Sequence, residues 1–263
     1  MSHQLLALIQ YPIKSLSGLM LQSCEATPIG LSNDRRWMLV EEDGQFVSQR
    51  KDPKLACLSV EQKGQGWRVS HPEHGEIWVP TRIESSRHFN VSIWGDEVDG
   101  VYDPQIGDAF FSAFLNRPVR FVYHDRPDSR PVSTQNTVDT HFVGFADGFP
   151  YLILSQASID SCAKLSEQPV DWRRFRPNII LSSPTPFAED HWSEIRIAGA
   201  QFSLVKPCPR CVMINVNPET GEKDMSLLSL LKKTRKQEKG IMVGQNALCI
   251  RPGLLSVGDT VYV

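Results

Sequence analysis

A chain of 263 residues, 41% hydrophobic and 22% charged, can bury a substantial core in one large or two modest domains. Its formal net charge of −2 leaves no broad basic surface, which excludes a general nucleic-acid or anionic-membrane binder, so basic residues matter only where they cluster. No stretch approaches the ~20 apolar residues of a membrane span, residues 1–10 lack the cationic lead of a secretory signal, and the six cysteines have no framework spacing. A soluble cytoplasmic protein with reduced thiols is expected.

The first half reads as short strands separated by turns. Strands are expected at 37–40 and 46–48 around a hairpin turn at Glu42-Asp43-Gly44-Gln45, then at 67–70, 77–80 and 91–94. His71 and His74, flanked by Pro72 and Gly75, have the types of a metal pair but read as turn histidines, because no third ligand is evident nearby. Asp103-Pro104 predicts a helix start, Phe110, Phe111, Phe114 and Leu115 its apolar face, and Asn116 its end, followed by a strand at 119–123. The polar stretch 124–140 reads as a long loop, which divides the chain into residues 1–124 and 125–263.

In the second half, strands are expected at 151–154, 178–181, 195–198, 202–205, 212–216, 247–250 and 261–263, with helices at 155–165 and 225–236. The second helix carries Leu227, Leu228, Leu230 and Leu231 and ends in the cationic run 232–236, read as a solvated helix end or as a docking patch for an acidic electron-transfer partner. Many short strands with few helices predict a mainly β, α+β chain closed into a barrel, which removes exposed sheet edges.

The strongest chemical signal is Lys206-Pro207-Cys208-Pro209-Arg210-Cys211. Adjacent cations favour a thiolate, the form that acts as nucleophile or metal ligand. The other cysteines, Cys24, Cys57, Cys162 and Cys249, are scattered singly, so the second pair of a structural zinc site is missing. The β-branched run 212–216 and the turn at 218–221 place the thiols at a strand entry, unlike a thioredoxin-type dithiol at a helix start. A thiolate poised for a soft metal or a transferable sulfur remains, beside the alternative of two inert buried thiols. Further cations precede apolar strands at Trp172-Arg173-Arg174-Phe175-Arg176-Pro177-Asn178 and Asp34-Arg35-Arg36-Trp37, and Lys14-Ser15 follows Tyr11-Pro12-Ile13. Guanidiniums so placed fork onto phosphate or carboxylate oxygens, or form surface ion pairs. Ser155 follows an apolar strand and opens a helix, the position of an anion site or of an ordinary N-cap.

Residues 11–18, 34–40, 149–158, 175–181, 188–192, 206–221 and 257–263 resemble, in order and character, the MOSC (molybdenum cofactor sulfurase C-terminal) proteins. The first half is similar to the β-barrel domain that commonly precedes MOSC, and within the family the resemblance is nearest to the amidoxime-reducing components and their bacterial relatives. This resemblance implies a molybdenum cofactor, with Cys211 as the metal ligand, Lys14, Ser15, Arg35, Ser155, Arg176 and Asn178 holding pterin and phosphate, Arg210 beside the metal ligand, and Cys208 without a ligand role. It implies reduction of N-hydroxylated compounds. Because these 263 residues carry neither the membrane segment nor the iron–sulfur domain found in relatives, it also implies a separate electron donor of reductase, flavodoxin or ferredoxin type. A cofactor carrier or persulfide-bearing sulfur-transfer module is the alternative. Zinc is not expected, nor is pyridoxal phosphate, since the chain has no Schiff-base lysine motif or aminotransferase-sized domain.

Overall fold

Seven strands close into a barrel, in the order Tyr151–Ser155, Ile179–Leu181, His3–Gln10, Thr260–Tyr262, Glu194–Ile197, Ala200–Pro209 and Gly240–Arg251, the last pairing back to the first. The computed structural model describes residues 3–85, 87–126, 128–132, 140–166, 169–223 and 226–263. Every neighbour in the barrel is antiparallel except Tyr151–Ser155 with Ile179–Leu181, where Ile153 faces Ile179. A parallel pair requires a crossover, and the helix Gln156–Ala163 lies within it.

Side-chain alternation sets the layers. Glu194–Ile197 turns Ile195 and Ile197 inward and Glu194 and Arg196 outward, and the interior is filled by Leu5, Ile153, Phe202 and Val261 among others. Tyr151–Ser155 is buried along its whole length, because Leu152 and Leu154 on its outer face pack under Ile159, Leu227 and Leu231 of the helices Gln156–Ala163 and Leu227–Arg235. Burial on both faces explains a continuous apolar run where one-sided burial would alternate.

The rest of the first half builds a four-stranded sheet, Trp37–Val40, Arg120–Tyr123, Asp96–Tyr102 and His88–Ile93, and a meander, Ser59–Gln62, Gly66–His71 and Gly75–Pro80. Trp37 joins them: it is fully buried, stacks on Phe121 at 4.5 Å, and its Nε1 donates to the Pro80 carbonyl at 3.0 Å.

Strands from the two ends of the chain pair: His3–Gln10 lies in the barrel and Ser23–Thr27 pairs with Gly253–Ser256. Several expectations are corrected. Residues 133–139 of the expected loop lie outside the described residues. The preceding Arg130 is buried and tied to Asp96 at 2.9 Å and to the Gly144 carbonyl at 3.0 Å, so this part of the loop is anchored. The helix expected from Asp103 starts instead at Asp108, since the Asp103 side chain closes a turn onto the Gln105 N–H and Gly107 breaks the path at φ 91°. The later helix is Leu227–Arg235; Met225, its expected start, lies outside the described residues. Among the described residues no helix is long and apolar enough to cross a membrane.

Candidate active site

Pro207 and Pro209 make the last part of the pairing of Ala200–Pro209 with Gly240–Arg251 irregular, and the Arg210 N–H still donates to the Ile241 carbonyl at 2.8 Å. Neither proline has an N–H to donate, and the register shifts between Leu204 and Lys206 and again between Pro207 and Pro209. The chain then leaves the barrel, and Cys211 stands in extended backbone at the head of a 3₁₀ turn, Val212–Asn215, where a strand was expected. The reason is Ile214, which is fully buried against Leu227 and Leu231: the apolar run anchors one side chain under the outer helix instead of pairing with a neighbour.

Cys208 and Cys211 line a cleft of about 150 Å³ that opens to solvent. Of the residues singled out in the sequence, Lys14, Ser15, Arg35, Arg176, Asn178, Arg210 and Cys211 all line it. Ser155 does not. It is fully buried as the N-cap of Gln156–Ala163, accepts from the Ser158 N–H, and donates to Glu189 Oε2 at 2.8 Å, while Glu189 Oε1 accepts from the Ser155 N–H. The protein's own carboxylate therefore occupies the helix start that an external anion would need. The sequence reading missed Arg50, Trp94 and Asp147, while Arg174, named there within the cationic run 172–178, also lines the cleft.

Charge in the cleft is strongly unbalanced: Lys14, Arg35, Arg50, Arg174, Arg176 and Arg210 face one carboxylate, Asp147, among the described lining residues. Ser15, Arg35 and Arg176 hold left-handed backbone at φ 71°, 47° and 57°, a conformation uncommon outside glycine and concentrated at functional sites. The Tyr11 ring meets two guanidiniums, Arg35 at 4.5 Å and Arg176 at 4.3 Å from its centroid, and its π face favours both charges. Gly18 makes room for it, since a Cβ there would come within 2.5 Å of Tyr11 Cε1. Burial pushes the Tyr11 phenol up to about 12, so the ring stays neutral. Asn178 spends its amide inside the protein: Nδ2 donates to the Ile9 carbonyl and to Asp34, and Oδ1 accepts from Arg35 Nη1 at 3.0 Å and from the Leu152 N–H. It aims Arg35 and has no spare donor for a ligand.

At the sulfurs, Arg50 Nε donates to Cys211 Sγ at 3.4 Å and Arg210 Nη1 to Cys208 Sγ at 3.2 Å. Lys206, expected beside the thiols, lies over the Phe149 ring instead. Arg50 and Trp94, with Lys14, surround Asp147: the indole Nε1 donates at 3.2 Å and Arg50 Nη2 at 3.4 Å. Away from the cleft, Glu73 is the third group that the sequence left out beside His71 and His74; their ligand atoms lie within 4.8 Å of one another, and both imidazoles pack edge-on against Phe114.

Desolvation pulls Arg176 down to about 10 and Lys14 down to about 8. Lys14 therefore carries its charge below pH 8 and loses it above. Retention of an anion in the cleft is expected to weaken as pH rises through about 8, and Lys14→Met to remove that step, as read from phosphate binding across pH. Folding responds with the opposite sign. Between pH 8 and the ordinary lysine value near 10.5 the unfolded chain binds more protons, so this group adds stability as pH rises.

Comparison with known proteins agrees in order with the two halves of the chain. Residues 2–118 match the MOSC N-terminal beta barrel domain and residues 140–262 the MOSC domain. The mitochondrial amidoxime-reducing component 1 of Mus musculus is 30% identical, over 96% of this chain and 80% of its own length, and the mitochondrial amidoxime reducing component 2 of Bos taurus is 30% identical over the same shares. Among solved structures, the YUAD protein from Bacillus subtilis aligns over 99% of this chain and 94% of its own at 12% identity and a TM-score of 0.43. The chain belongs to the MOSC family, as an N-terminal MOSC β-barrel domain joined to a MOSC domain, and its relatives are mitochondrial amidoxime-reducing components.

Proposed function

We propose that this chain is a molybdenum-cofactor-dependent reductase of N-hydroxylated compounds that takes its electrons from a separate donor protein. The observation that carries this reading is a thiol, Cys211, facing a cleft with six cationic side chains and a single carboxylate among its described lining residues. That balance suits a polyanion with a soft-ligated metal. One buried group of a cleft residue without a partner among the described residues, Arg210 Nε, supports an incoming ligand that supplies a hydrogen-bond acceptor. A phosphate-bearing pterin dithiolene meets both requirements, so the residues fit the group the family implies.

In this reading Cys211 is the metal ligand, and Lys14, Ser15, Arg35, Arg176 and Arg210 hold the pterin and its phosphate. When bound, the cofactor supplies the two-electron reduction that removes the oxygen of an N-hydroxyl group. Conversion of the N-hydroxyl to the amine or amidine also consumes two protons and releases water. Arg50 Nε faces Cys211 Sγ and steadies the negative charge of the ligating sulfur. The Lys14 ammonium, held by the Phe145 carbonyl at 2.7 Å and by Asp147, keeps a proton at Nζ inside the cleft near neutral pH. Asn178 and Asp34 fix Arg35, and the Tyr11 ring contacts both Arg35 and Arg176.

Arg176→Ala is expected to weaken cofactor retention by about 1.5–3 kcal/mol, the worth of a charged hydrogen bond, read as faster loss of pterin on dilution; unchanged occupancy would remove Arg176 from the binding set. Dye-driven reduction of benzamidoxime by the molybdenum-loaded protein tests the activity. Turnover supports the reductase. A fully loaded protein that never turns over N-hydroxylated compounds is instead a cofactor carrier.

A further inference from the structure

We propose that Trp94 forms a stacking subsite at the cleft mouth for the planar, conjugated part of the substrate; this rests on the reductase reading above. Trp94 and Gly95 are the two-residue loop between the strands His88–Ile93 and Asp96–Tyr102, closed where Ile93 faces Asp96. Both loop residues have positive φ, 55° and 92°, as tight hairpins of this twist require. Asparagine usually fills the first position. A bulky aromatic is disfavoured there, because its Cβ crowds the following carbonyl, and such outliers persist where a function uses them.

The indole gains little burial in return, since Trp94 remains 51% exposed. Its orientation is nevertheless fixed from three sides. Nε1 donates to Asp147 Oδ1 at 3.2 Å, the Arg50 guanidinium lies over the ring at 4.0 Å, and the Phe46 ring meets its edge at 4.8 Å. The same Arg50 donates to Cys211 Sγ, so one side chain separates the indole from the proposed metal ligand. An oriented, strained and half-exposed ring at this place is a preorganised surface for another π system.

The chemistry of the cleft narrows the ligand. A planar N-hydroxylated group on an aromatic ring or nucleobase can stack on the indole where a small aliphatic one cannot. Amidoximes attached to aryl groups and hydroxylamino bases fit this description.

Trp94→Asn and Trp94→Phe, made in the full-length molybdenum-loaded protein, test it with benzamidoxime and acetamidoxime, which differ only in phenyl against methyl. Trp94→Asn is expected to raise KM for benzamidoxime about tenfold more than KM for acetamidoxime, the scale of one lost stacking contact. Trp94→Phe should recover most of the loss, molybdenum and pterin content should match wild type, and Tm should not fall in Trp94→Asn because asparagine suits the turn. Equal KM shifts for both compounds, loss of cofactor, or a lower Tm with unchanged KM would each overturn the subsite, the second assigning the ring to the pterin and the third to packing. Calorimetric binding of benzamidoxime to the same proteins needs no turnover and so separates the two readings. Weaker binding to Trp94→Asn keeps the subsite even if nothing is reduced, and equal binding removes it.

Discussion

Asp34→Ala is expected to cost about 3–5 kcal/mol of stability, the usual result of stripping one partner from a buried ion pair, and to lower Tm by roughly 6–20 °C for a chain of this size. Asp34 is 4% exposed and serves three donors: the Tyr11 N–H at 2.7 Å, Asn178 Nδ2 at 3.2 Å and Arg35 Nη1 at 2.5 Å. Its removal leaves a guanidinium with 12% side-chain exposure on the Tyr11 ring that Arg176 also contacts, and a backbone N–H without an acceptor. Asp34→Asn keeps the Oδ1 acceptor for Tyr11 and Asn178 but sets an amide NH2 against Arg35 in place of Oδ2, so it should fall between wild type and Asp34→Ala. Because Arg35 loses its carboxylate in both variants and keeps only the Asn178 Oδ1 contact, pterin retention should fall with Tm. A thermal midpoint for Asp34→Ala equal to wild type would show that the pair does not hold this corner of the cleft.

The two cysteines are expected to separate sharply. Cys211→Ser exchanges a soft thiolate for a hard hydroxyl at the proposed metal position, and molybdenum content should drop by more than about tenfold. Cys208 differs in its surroundings: its sulfur accepts from Arg210 Nη1 at 3.2 Å, a bond that a serine oxygen can also accept. Cys208→Ser should therefore retain most of the metal. Equal losses in the two variants would assign both sulfurs to the metal or to a shared persulfide.

The site was legible wherever a short run of sequence carries its own chemistry. Cys211, Lys14, Arg35 and Arg176 each sit beside a turn that leads into or out of an apolar strand, and all four face the cleft. The barrel was legible as a class from the number of short strands. Its closure was not, because His3–Gln10 pairs with Ile179–Leu181 across more than half of the chain, and local pattern carries no such information. The run 212–216 misled because its apolar residues suit a 3₁₀ turn that buries Ile214 alone as well as they suit a strand, and over so few residues periodicity cannot arbitrate. Ser155 presented an N-cap and an anion site with the same sequence. The choice was made by Glu189, brought in from 34 residues away. Arg50, Trp94 and Asp147 form no motif, and they meet only because the first-half sheet brings a hairpin and a loop over the barrel mouth.

The most direct test is metal and pterin analysis of the full chain purified from a host that makes molybdenum cofactor, with Cys211→Ser prepared in parallel. Near-stoichiometric molybdenum and phosphate-bearing pterin in wild type, with the metal lost in Cys211→Ser, is the predicted result. Wild-type protein that never carries either component, or a Cys211→Ser variant that holds molybdenum as wild type does, would contradict the reading of this cleft.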